Sequence, residues 1–69
     1  MTNNIEKMER RIYALKIMLR RTDYKALKYA EGEMSAEEYA PILEERRTWR
    51  VEINALEAEL AALKESAND

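Results

Sequence analysis

The chain has no cysteine and no histidine. Without cysteine it can form neither a disulfide nor a thiolate metal site, and without histidine it lacks the commonest general base and the commonest metal ligand. It has a single glycine, Gly32, and a single proline, Pro41, so the backbone is punctuated at only two places. No apolar run approaches the roughly 18 to 20 residues that cross a bilayer. The opening stretch, Met1 to Lys7, lacks the basic-then-apolar order of a secretory signal. The expected setting is therefore cytoplasmic, with no membrane partner. Nucleophile motifs and glycine-rich phosphate loops are also missing. The neighbouring acids Glu37-Glu38 and Glu44-Glu45 would diverge by about 100° on a helix and read as solvated surface. The expectation is a non-enzymatic chain with no catalytic, cofactor or metal site.

What is present is helix-forming. Ala, Leu, Glu, Lys, Arg and Met are frequent, and 38% of the 69 residues are charged, a composition typical of long helices and coiled coils. The reading is an all-α chain of one domain. Two helices of this length bury only a modest core, and with no covalent or metal staple available, self-association is the expected one.

The boundary between the helices lies in Glu31 to Tyr39. Gly32 can close a preceding helix in the left-handed conformation, and Ser35 with Glu38 has the spacing of a capping box. Met34 and Tyr39 stand where a hydrophobic staple would. Asn3 or Asn4 begins the first helix. Ile5, Met8, Ile12, Leu15 and Leu19 then recur at intervals of three and four, and Tyr39, Ile42, Arg46, Trp49, Ile53, Leu56, Leu60 and Leu63 hold the same period in the second arm. Taken in antiparallel pairs, Ile5 with Leu63, Met8 with Leu60, Ile12 with Leu56, Leu15 with Ile53 and Leu19 with Trp49, the residue numbers always add to 68. The midpoint of that mirror is Met34, inside the proposed turn. An antiparallel helical hairpin of coiled-coil type is predicted, with a first arm over 3–31, a turn over 32–35 and a second arm over 36–65. Arms of about 30 residues would be roughly 45 Å long.

Two places could interrupt the arms. Thr22-Asp23 resembles a helix cap and predicts a disturbance near residue 22, where the helix either breaks or bends and continues. Pro41 either kinks the second helix or begins its main segment after a separate turn over 35–40. Residues 66–69 are expected to fray. The arms differ in charge: residues 1–30 carry eight basic and three acidic side chains, residues 31–69 four basic and eleven acidic, for formal charges of +5 and −7. That complementarity favours packing them side by side.

A second apolar stripe remains on each arm: Tyr13, Ile17, Tyr24 and Leu27 on the first, Val51, Ala55, Ala58 and Ala62 on the second. A helix that is apolar on two sides needs two neighbours, so a homodimer or higher helical bundle is expected. Periodicity alone leaves open which stripe lies within a hairpin and which between hairpins. Arg20, Arg21, Arg46, Arg47 and Arg50 should gather midway along the hairpin near Trp49 and Tyr24. They can pair with Asp23, Glu44, Glu45 and Glu52, form a protein interface, or present Arg20, Arg21, Arg47 and Arg50 to a nucleic acid. Trp49 is either core opposite Leu19 or an exposed anchor. Tyr24 and Tyr29 should cover the tip.

Residues 19–54 carry Thr22-Asp23-Tyr24, Glu31-Gly32, Glu37-Glu38-Tyr39, Arg46, Trp49-Arg50 and Ile53-Asn54. In that order they resemble a segment of small bacteriophage and prophage proteins and of the carboxy-terminal parts of tail-fibre assembly and related tail proteins. The resemblance covers about half of the chain and lacks the larger amino-terminal region of tail-fibre assembly proteins. It implies a non-catalytic structural, assembly or adaptor role in a phage tail, with another tail protein as a partner, in the host cytoplasm or in the virion. It supplies no active residues. Two other classes stand beside it: a nucleic-acid-binding accessory protein, and a regulator that captures an amphipathic helix of another protein.

Overall fold

Gly32 has φ of +80° in the computed structural model, which describes residues 4–67 and the surroundings of side chains up to residue 65. Only glycine enters that region without strain, and here it reverses the chain. The Gly32 N–H donates to the Tyr29 carbonyl at 3.1 Å and the Glu33 N–H to the Lys28 carbonyl at 2.8 Å, the paired bonds of a Schellman stop. Three residues on, the next helix starts. The Glu38 N–H donates to the Ser35 Oγ at 3.0 Å while the Ser35 N–H donates back to the Glu38 carboxylate at 3.1 Å. The capping box is thus closed in both directions.

These two caps bound α1 (Asn4–Ala30) and α2 (Ala36–Ala67), the only regular elements among the described residues. The fold is an all-α antiparallel helical hairpin 51 Å long. The alternative start at Asn3 and the fraying at 68 and 69 lie outside the described residues. α2 stays helical to Ala67, two residues past the expected end. Pro41 is the sixth residue of one continuous helix, so the separate turn over 35–40 does not form. Its missing N–H leaves the Glu37 carbonyl without the usual bond, one turn into a helix whose start is already fixed by Ser35.

The break expected as one outcome at Thr22 does not occur, because α1 runs through it as one helix. The Thr22 hydroxyl lies 3.0 Å from both the Met18 and Leu19 carbonyl oxygens and is satisfied inside the helix instead of capping a new one. The mirror rule then extends past Leu19 to the turn. Tyr29 and Tyr39, whose numbers also add to 68, stack with ring centroids 4.6 Å apart and planes 8° from parallel. Tyr39 is buried, with one face of its ring against Tyr29.

The core is the seam. Ile12, Leu15 and Ile53 are buried, and Leu19, Trp49, Leu56 and Leu60 pack against them. Leu15 is the deepest side chain, 1% exposed. Trp49 lines this core as a half-buried side chain, which settles its placement beside Leu19 and not as a free anchor.

Three exposed ion pairs flank the seam: Arg11 with Glu52, Lys16 with Glu57 and Lys64 with Glu9. Each joins one arm to the other, so the opposite charges of the arms meet where the two helices touch. With the seam residues as a and d of a heptad, Arg11 and Glu52 are both g, and the other four are all e. That is the pairing antiparallel helices allow at the edges of their contact.

Candidate functional site

The heptad register decides which surfaces are left over. On α1, Tyr13 and Leu27 are b positions and Ile17 and Tyr24 are f positions. On α2, Val51 and Ala58 are f, and Ala55 and Ala62 are c. All eight therefore sit on the sides of their helices turned away from the seam. Accessibility agrees: Tyr13 is 65% and Val51 68% exposed, Tyr24, Leu27 and the three alanines are exposed, and Ile17 is half-buried. The a and d stripe is intra-chain, and the second stripe of each arm is the outer surface.

The outer stripes do not share a face. One lies on the back of α1, the other on the back of α2, with the seam between them. Each has charged side chains nearby. Arg10, Arg20 and Arg21 on α1, and Glu44, Glu45 and Glu59 on α2, are exposed and make no hydrogen bond or ion pair among the described residues. Tyr24 carries two cations of its own helix over its ring, Lys25 Nζ at 5.9 Å and Lys28 Nζ at 6.0 Å from the centroid. It does not join the arginines.

The expected arginine belt is corrected in the same way. Arg46 alone turns inward, the one buried charged side chain among the described residues, at 5% exposed. Its guanidinium donates to the Leu19 carbonyl at 2.8 Å, the Thr22 Oγ1 at 2.6 Å and the Asp23 carboxylate at 2.9 Å. The reason is register: Arg46 is an a position mirrored onto Thr22, whereas Arg20, Arg21, Arg47 and Arg50 fall outside the seam and stay exposed without an ion-pair partner. Glu52, expected to serve the belt, pairs with Arg11.

Beside the outer stripe of α1 lies an open groove of about 280 Å³, lined by Arg11, Ala14, Leu15, Ile17, Met18, Arg21 and Trp49. Sequence reasoning did not single out Met18 or Ala14. The g position of Met18, which flanks the seam, was the available signal.

Two exposed carboxyls are held below the ordinary carboxylate range. Glu38 is shifted by the backbone N–H and then the hydroxyl of Ser35, and Glu52 by its hydrogen bonds from Arg11 and, less strongly, by that residue's charge. Because folding favours their ionised forms, the stability they contribute is present in full above the ordinary glutamate pKa of about 4.3. It is lost as pH falls through the depressed folded values. The helical signal at 222 nm should therefore melt at lower temperature as pH drops from about 5 towards 3. Combining Glu38→Gln, which keeps the cap, with Glu52→Gln should make that drop shallower; an unchanged slope would refute the assignment.

Among the described residues no three His, Cys, Asp or Glu side chains stand where they could hold a metal ion, and no helix is long and apolar enough to cross a membrane. Comparison with known proteins gives no match to this chain among family models, curated proteins or solved structures.

Proposed function

We propose that this chain is a non-enzymatic structural or adaptor module that works by packing its outer helix faces against other helices, first of all those of further copies of itself. The observation that carries the reading is the imbalance between core and surface. Among the described residues only Ile12, Leu15, Tyr39 and Ile53 are buried apolar ones, while Tyr13, Tyr24, Leu27 and Val51 stand exposed on the backs of the two helices. Large apolar side chains recurring at heptad positions on an outer face mark a contact surface, whereas singly scattered ones do not. The setting in phage-tail assembly belongs to the same proposal and rests on the resemblance of residues 19–54.

Sedimentation equilibrium over low to high micromolar concentrations tests it. The expected result is a mass above that of one chain and a melting temperature that rises with concentration, as mass action requires when the folded form associates. A monomer at every concentration would overturn self-association. A second reading, nucleic-acid binding, is favoured by the free side chains of Arg20, Arg21, Arg47 and Arg50. It requires affinity for duplex or single-stranded DNA or RNA that falls steeply with salt, and no binding at low salt would remove it.

A further inference from the structure

From the placement of the two outer stripes we infer that the contact between copies is heterologous: the back of α1 in one hairpin packs on the back of α2 in the next. The inference rests on the self-association proposed above and adds its geometry. One observation selects it, and a second sets what it builds.

The first is charge. The stripe of Tyr13, Ile17, Tyr24 and Leu27 is flanked by the unpartnered cations Arg10, Arg20 and Arg21, whereas the stripe around Val51 has the unpartnered acids Glu44, Glu45 and Glu59 beside the unpartnered cations Arg47 and Arg50, an excess of acid. A two-fold contact of α1 with α1 would set the cations against their own copies, and a contact of α2 with α2 would oppose two surfaces with the same excess of acid. Pairing α1 with α2 opposes unlike charges, as the arms already do within one hairpin through Arg11 and Glu52.

The second is direction. The stripes face away from each other across the seam, so one neighbour cannot cover both in a closed pair. A copy that has docked through α1 still offers α2. Head-to-tail contacts of this kind build rings or open rows and do not end at two subunits. Size also suits the pairing, since the large side chains of α1 would meet Val51 and the exposed alanines of α2.

Two surface variants of the full chain test this: Tyr13→Glu with Leu27→Glu, which blocks the back of α1, and Val51→Glu with Ala55→Glu, which blocks the back of α2. All four positions are exposed, and circular dichroism checks that both variants keep the helical signal. In sedimentation, the unaltered chain is expected to pass twice the chain mass as concentration rises. Each variant alone should stay at one chain, and an equimolar mixture should stop at two, because only one complementary pair of faces remains. A wild-type mass that levels off at two chains, or either variant forming dimers alone, would overturn the head-to-tail contact and leave self-association standing. A wild-type chain that never exceeds one chain mass would overturn both.

Discussion

Leu15→Ala is expected to remove a large part of the stability of the hairpin. Leu15 is 1% exposed, sits between Ile12 and Ile53, and is the best-covered side chain of the seam. Removing a buried leucine side chain costs about 2–5 kcal/mol, depending on how far the surroundings collapse into the space. Collapse is limited here because both helices are pinned by the closed turn at one end and by cross-arm ion pairs along their length. A loss of about 3 kcal/mol is set against a total on the order of 4–10 kcal/mol for a chain of this size. The melting temperature should therefore fall by about 12–24 °C, measured at 222 nm at a fixed concentration so that association does not mask the change. Ile53→Val, at the mirrored position, should cost only about 1 kcal/mol. A shift under about 5 °C for Leu15→Ala would mean that the seam is not what holds the arms together.

The architecture was legible because its determinants are local or periodic. Gly32 needs a positive φ, Ser35 and Glu38 satisfy each other across one turn of helix, and two heptad seams that mirror about Met34 leave one way to fold. What periodicity could not show was how individual polar residues spend their hydrogen bonds. Thr22-Asp23 has the chemistry of a cap, but the Thr22 hydroxyl is satisfied by carbonyls of its own helix, and Arg46 from the other arm draws that oxygen and the Asp23 carboxylate into a bridge across the seam. The arginines were read as one belt because they are close along the hairpin. Their heptad positions separate them, with Arg46 inside and Arg20, Arg21, Arg47 and Arg50 outside. The ambiguity between the two apolar stripes of each arm was real in the sequence. It disappears when the seam is fixed, since every other apolar position must then face outward.

Arg46 supplies the sharpest contrast between two substitutions at one site. Arg46→Ala should destabilise the hairpin by about 2–3 kcal/mol, since it removes charge-assisted hydrogen bonds of about 1.5–3 kcal/mol and the packed stem of a side chain that is 5% exposed. The cost stops short of that for breaking a fully buried ion pair because none of its partners is left stranded. The Asp23 side chain is 64% exposed and can turn to water, and Thr22 keeps the carbonyls of its own helix. Arg46→Leu should behave differently. It restores an apolar residue to the seam and should stay within about 1 kcal/mol of the unaltered chain, as apolar replacements of buried charges often do. What it should lose is selectivity. The guanidinium finds its three acceptors only when residue 46 lies level with residues 19–23, so any slipped pairing of arms, within or between chains, would bury it without partners. Leucine carries no such penalty. Native mass spectrometry of Arg46→Leu should therefore show a broader range of assemblies than the unaltered chain at the same concentration, while its denaturant midpoint barely moves. If Arg46→Leu were as unstable as Arg46→Ala, with no change in the distribution of assemblies, the polar bridge would be a source of stability and not the device that holds the register.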